Sequence, residues 1–216
     1  MALRSRLRPG RRWLGRLSGG RAGESVRSWP LARTSSSKKT RFLDPEEIER
    51  GIGEVAQLAT AQAVRVALIG GAALQLLGSD RLTKDIDFAA DRLIDGLAEQ
   101  GVLDFGGIKA TTSSGVPVEL VIRDDKYRAL YEAAVDHATR IEGVPVVVVR
   151  GEYLIAMKMV AGRPKDDADL EFLIADGGVD LERAKAVVSE HLGPYAVDEL
   201  ERYCDGVAWR RSRGSG

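Results

Sequence analysis

Asp85-Ile86-Asp87 is the stretch whose residue types most directly imply chemistry. In an extended segment alternate side chains share a face, so both carboxylates project together while Ile86 turns toward a core. Two such neighbours repel one another and are poor strand formers. A divalent cation between them removes the repulsion, and oxygen-only ligands suit magnesium or manganese. A solvated edge strand carrying two acids is the plainer alternative. Upstream, Gly70-Gly71 interrupts a short apolar run and is followed by Ala72-Ala73-Leu74. A strand, a tight glycine turn and a helix leave backbone N–H groups and the positive end of a helix dipole facing one spot, which suits phosphate. Glycine-rich turns also arise in α/β proteins for steric reasons alone. Metal and triphosphate belong together, so the acid pair and the turn reinforce each other. In Val118-Glu119-Leu120 the same alternation lets Glu119 leave the core, and it is the candidate third carboxylate of a two-metal site.

Several elements must position these groups. Asp44-Pro45-Glu46-Glu47 reads as an N-cap, a proline at the first helical position and acids in the first turn, opening a helix to about residue 63. Its buried face is Ile48, Ile52, Val55, Leu58 and Ala59. Strands are expected at 64–69, 85–89, 108–112, 116–122 and 145–149, with Ser113-Ser114-Gly115 as a hairpin turn. Helices are expected at 72–77, 91–100 and 124–137, then at 151–161, 166–175, 180–191 and 194–205. The expected class is therefore α+β: a mixed-sheet core over 42–150, a helical part over 151–208 that completes the site, and a frayed terminus at 209–216.

On the 151–161 helix Leu154, Met157 and Ala161 form one stripe and Ile155 and Met159 another, so most of that helix is buried. Lys158 lies beside the stripe with a stem long enough to snorkel, and a surface lysine is the alternative. Asp166 and Asp169 share a helix face, and they equally suit a helix start, where acids favour the dipole. Together, Gly70-Gly71-x-Ala73-Leu74, Arg81-x-Thr83-x-Asp85-Ile86-Asp87-Phe88, the run Tyr153 through Arg163 and Lys165-Asp166-Asp167-Ala168-Asp169-Leu170 resemble the AbiEii-type branch of the DNA polymerase β-like nucleotidyltransferases. The resemblance covers roughly residues 46–176. It implies a polymerase β-like mixed sheet with helices, in which Gly70 and Gly71 cradle a triphosphate and Asp85 and Asp87 hold Mg2+ or Mn2+. Lys158 then neutralises phosphate charge, while Asp166 and Asp169 orient Lys158 or neighbouring basic groups. Gly71 stands where many members of the superfamily have Ser, and Glu119 stands where the third carboxylate is commonly Asp.

The resemblance implies an enzyme moving a nucleoside monophosphate from an NTP to an acceptor hydroxyl, on an RNA end or a protein, in toxin–antitoxin or phage-defence biology with an antitoxin partner; a small-molecule acceptor, as in antibiotic-modifying relatives, is the other acceptor class. The alternative is a catalytically silent relative that binds nucleotide or a partner protein.

Composition bounds the remaining choices. The chain has 216 residues, 44% of them apolar, which is enough for a real core. One cysteine, Cys204, excludes a disulfide framework, and two histidines, His137 and His191, are too few for a His-rich metal cage. No apolar run approaches the ~18–20 residues of a membrane span, so a soluble, cytoplasmic protein without membrane contact is expected. The net charge of zero averages two unlike pieces: residues 1–41 hold 12 Lys/Arg and one acid, leaving 20 Lys/Arg against 31 Asp/Glu in the rest. The basic segment, rich in Arg, Ser and Gly, is expected to be a disordered tail. It reads as an extension without function, an organellar transit segment or a nonspecific nucleic-acid arm.

Overall fold

The computed structural model describes residues 41–214. The expectations for the basic tail, residues 1–41, lie outside the described residues except at Arg41, whose guanidinium pairs with Glu47 at the start of α1. The chain opens with α1 (Pro45–Ala61), β1 (Val66–Leu68), α2 (Gly70–Leu76) and β2 (Ile86–Ala90). It continues through β3 (Ala98–Val102), β4 (Gly107–Thr111), β5 (Pro117–Val121), α3 (Arg128–Asp136), β6 (Thr139–Arg140) and β7 (Val147–Val148). Four consecutive helices follow: α4 (Gly151–Ala161), α5 (Pro164–Ala175), α6 (Leu181–Leu192) and α7 (Pro194–Gly214).

Local chemistry explains the opening. Asp44 caps α1 by accepting the Glu47 N–H at 2.9 Å, and Glu47 accepts the Asp44 N–H at 3.0 Å. This reciprocal box satisfies two donors that a helix start otherwise leaves unpaired. Ile52, Val55 and Ala59 are buried along α1, and Ile48 and Leu58 are packed at the margin of the core.

The strands form one seven-stranded sheet in the order β3-β4-β5-β2-β1-β7-β6. It is mixed: β1 runs antiparallel to β2 and parallel to β7, β2 runs parallel to β5, and β3-β4, β4-β5 and β6-β7 are antiparallel. Ile86, Phe88, Leu120 and Leu68 are fully buried, and one apolar core runs from them through Leu154 and Ile155 of α4 to Leu173 and Leu200 of α5 and α7.

Three expectations are corrected. Residues 91–100 are not a helix: 91–97 form turns and 98–102 become β3, pairing with the outer edge of β4. Gly96 has φ +93°, a conformation a helix cannot contain, and the waiting edge of β4 outweighs the weak helical pattern of Leu93, Ile94 and Leu97. The helix expected from 124 begins only at Arg128, because Asp125 accepts the Tyr127 N–H at 3.0 Å and holds a turn. The terminus expected to fray at 209 instead continues α7 to Gly214. Its partners lie on α5: Arg210 pairs with Glu171 at 2.8 Å and Arg211 donates to the Ala175 carbonyl at 2.6 Å. The two-residue β6 is too short to carry a period and was not expected.

Candidate active site

Register brings the acids together. In the parallel β2-β5 pair Asp87 stands opposite Glu119, and in the antiparallel β4-β5 pair Lys109 stands opposite Glu119. One sheet face therefore carries a row of Lys109, Glu119 and Asp87, while Ile86, Phe88, Val118 and Leu120 fill the other. Lys109 Nζ lies 3.2 Å from Glu119 Oε1, so Glu119 has an acid on one side and a cation on the other. Asp85 immediately precedes β2, and its carbonyl accepts the buried Thr83 hydroxyl at 2.8 Å.

The two glycines at the start of α2 face different neighbours. Gly70 has φ +64°, and a Cβ there would lie 1.9 Å from Asp87 Oδ2. Only glycine allows the first turn of α2 to sit directly against that carboxylate. A Cβ on Gly71 would instead meet Thr83 Oγ1 at 2.8 Å, with the Arg81 guanidinium carbon 3.7 Å away. No side chain caps the start of α2, so its first backbone N–H groups are left as donors beside Asp87.

Burial, followed by the negative charges of Asp85 and Glu119, pushes the Asp87 carboxyl up to about 7; the cations Lys158 and Lys165 act in the opposite sense. Asp87 thus ionises against burial and two neighbouring carboxylates, which is the electrostatic condition a divalent cation relieves, and the donor set is all oxygen. Asp85, Asp87 and Glu119 fit a hard cation in donor type and charge. Among the described residues no three His, Cys, Asp or Glu side chains already surround a single point. The same carboxylate is felt elsewhere: by the Arg163 guanidinium, whose pKa its hydrogen bond to Asp166 raises, and by the Tyr131 hydroxyl on α3, which burial pushes up. Cavities of about 340 and 350 Å³ lie elsewhere, lined by Thr60, Arg65 and Asp136 and by Tyr127, Met159 and His191. Electrostatics rather than cavity size mark the acids.

Lys158 is not a surface lysine. It is 6% exposed, and its ammonium lies 2.9 Å from Asp166 Oδ1 and 2.6 Å from Asp169 Oδ2. Asp166, fully buried, also accepts the Arg163 Nε–H at 2.7 Å and the Arg163 backbone N–H at 3.2 Å, so it caps α5 and holds two cations at once. Burial works against its ionisation, but hydrogen bonds from Arg163 and Lys158 hold its carboxyl down to about 2. Asp169 is shared further with Arg81. The resulting chain is Arg81–Asp169–Lys158–Asp166–Arg163, most of it out of water. Desolvating each ion costs several kcal/mol, which pairing has to offset. Groups of this kind more often serve a site than a core.

Asp87 and Glu119 share the strand face, with Gly70 of α2 packed against Asp87 and Asp85 just before β2; Gly71 backs onto Thr83, and Lys158, Asp166 and Asp169 form the buried network whose lysine acts on Asp87. Sequence reasoning assigned no part to Arg81, Lys109, Tyr131, Arg163 or Lys165. Arg81, Arg163 and Lys165 stand inside the quoted motifs, which was the available signal. Lys109 and Tyr131 had none, because only strand register and helix docking bring them close.

No protein-family model matches the sequence, and no curated protein matches it. Solved structures do. An antigenic nucleotidyltransferase-like protein from Paracoccidioides brasiliensis superposes with a TM-score of 0.50 at 17% identity, over 81% of this chain and 93% of that one. The antibiotic-resistance factor ANT(2'')-Ia gives 0.40 at 15% identity, over 80% and 97%. With the mixed sheet, its trailing helices and the first of these likenesses taken together, the chain has a nucleotidyltransferase-like α+β fold.

Proposed function

We propose that the protein is a metal-dependent nucleotidyltransferase that moves a nucleoside monophosphate from an NTP to an acceptor hydroxyl on an RNA end or a protein, as the toxin component of a toxin–antitoxin pair. One observation carries this reading. Asp87, pressed against Gly70 and opposite Glu119, is the carboxylate on which Asp85 and Glu119 act in one sense and Lys158 and Lys165 in the other. Carboxylates crowded beside free helix-start amides and lysines are what a metal-bound triphosphate requires of a protein.

Asp85 and Asp87 would hold Mg2+ or Mn2+. Such an ion, when bound, neutralises phosphate charge and acidifies the acceptor hydroxyl. The first N–H groups of α2, next to Gly70, donate to phosphate oxygens. Lys158, held by two carboxylates and so fixed in place, lends positive charge to the polyphosphate. Glu119 takes the proton from the acceptor hydroxyl as the acceptor oxygen bonds to the α-phosphorus and the bond to pyrophosphate breaks. Lys109, paired with Glu119, holds that carboxylate in place along the sheet face.

The same Lys109–Glu119 pair favours a second reading, a silent relative that binds nucleotide or a partner protein, since Glu119 is already engaged. Incubation with each of four α-labelled NTPs, with total RNA and total protein as acceptors, separates the two. Label transfer with pyrophosphate release, abolished by EDTA, supports the enzyme. Magnesium-dependent thermal stabilisation by NTP without pyrophosphate release overturns it in favour of the silent relative.

A further inference from the structure

Arg81 lies in the connection between α2 and β2 and is tied down at both ends of its own backbone. Its N–H donates to Ser79 Oγ at 3.2 Å, and its carbonyl accepts the Gln75 Nε2–H at 2.6 Å. Its guanidinium passes beside Gly71, where an added Cβ would stand 3.7 Å from Cζ. It then ion-pairs with Asp169 on α5, 88 positions away in sequence. The oxygen it grips, Asp169 Oδ2, is the one that also binds Lys158 at 2.6 Å. Two cations therefore share one carboxylate oxygen. The network holds three cations, Arg81, Lys158 and Arg163, against two anions, Asp166 and Asp169, which leaves one unit of positive charge uncompensated. Without Arg81 the count is two against two, and Asp169 is free to neutralise Lys158 alone.

We propose that Arg81 is a positioning residue for nucleotide binding: by holding Asp169 from the side of the glycine turn, it leaves the charge of Lys158 available to the triphosphate. This rests on the reading of Lys158 as a phosphate-neutralising group. Arg81 acts through Asp169, the carboxylate that its guanidinium Nη1 holds. An interaction made equally with bound substrate and transition state alters KM and not kcat, so the effect of Arg81 should fall on KM.

The test compares wild type, Arg81→Met, Arg81→Lys and the double variant Arg81→Met with Asp169→Asn, using steady-state kinetics with MgNTP and thermal melts of each protein. Arg81→Met should raise KM for NTP about tenfold, the effect of one lost charge contact, with kcat unchanged within about twofold. Arg81→Lys, which keeps the charge, should recover most of the affinity. The double variant removes the neutralising carboxylate and restores the one-unit surplus, so its KM should return toward wild type even though its melting temperature falls further. A merely structural Arg81 would show lowered melting temperatures and no rescue by Asp169→Asn, and that result overturns the proposal. Should Arg81→Met fail to fold, Arg81→Gln with and without Asp169→Asn carries the same comparison. A wild-type protein that neither binds nor turns over any NTP would instead overturn the transferase reading itself, a failure distinct from unchanged KM in an active Arg81→Met enzyme.

Discussion

Two clusters of charge lie side by side in this molecule and solve opposite problems. On the β2-β5 face burial, followed by the negative charges of Asp85 and Glu119, drives Asp87 up to about 7. In the helical half Asp166 and Asp169 are saturated with cations, and Asp166 is held down to about 2. Their linkage to stability has opposite sign. A carboxyl whose folded pKa is raised costs nothing below the unfolded value near 4, and stability declines as pH climbs from there to about 7. A carboxyl whose folded pKa is depressed stabilises above about 4, and that contribution disappears as pH falls toward 2. On the proposed function the first cluster takes a cation from solution, whereas the second carries its own. The contrast separates the group that awaits a ligand from the group that is organised in advance to receive it.

The sharpest way to break the contrast is to remove the strained acids. Asp85→Ala or Asp87→Ala should reduce transfer on the order of a thousandfold or more, while the metal-free melting temperature stays level or rises, because a repelling charge is gone. Full turnover by either purified variant would sink the metal assignment. Asp166→Ala tests the other side. It strips a buried acceptor from Lys158, Arg163 and the start of α5, so destabilisation of about 3–5 kcal/mol is expected from leaving buried charge uncompensated. Denaturant melts of the metal-free protein measure it, and a change below about 1 kcal/mol would show the network is solvated.

A smaller effect carries the sign of the linkage. Asp87→Asn removes the ionisation that burial, Asp85 and Glu119 oppose. In metal-free buffer at pH 8 the variant should be more stable than wild type by about 1–3 kcal/mol. The difference should shrink as pH falls through 7 and vanish near 4, where wild-type Asp87 is protonated in both states. Added Mn2+ should stabilise wild type and leave the variant nearly unmoved. An advantage that does not depend on pH would mean that the amide simply packs better.

Much of this site was legible in the sequence because its logic is local. The alternation around Asp85-Ile86-Asp87 and around Glu119 fixed which side chains share a face, and the cap at Asp44 and the glycine pair marked two helix starts. What alternation cannot give is register: nothing short of the parallel β2-β5 pairing sets Asp87 opposite Glu119, or Lys109 beyond it. Tertiary competition hid the rest. Residues 98–102 pair as a strand because β4 offers an open edge, and 209–214 stay helical because Glu171 and the end of α5 receive Arg210 and Arg211. Arg81 stood inside a legible motif, yet its partner Asp169 lies on α5, and no spacing rule reaches that far.

The smallest expected effect concerns the boundary of the strained cluster. Lys109 is mostly exposed, and its pair with Glu119 at 3.2 Å is of the kind worth at most about 1 kcal/mol. Lys109→Met should therefore barely change stability. It should, however, release Glu119 toward Asp87 and deepen the repulsion there. If Glu119 is a metal ligand, losing its competing cation should tighten Mn2+ binding about two- to fivefold in calorimetric titration, a change of under 1 kcal/mol. If Glu119 is instead the proton acceptor alone, Mn2+ affinity should stay put while kcat changes, since the lysine no longer holds that base in place along the sheet face. Glu119→Gln in the Lys109→Met background distinguishes the two by removing whichever effect appears. Neither shift, in an active enzyme, would take Glu119 out of the chemistry and leave Asp85 and Asp87 to act without it.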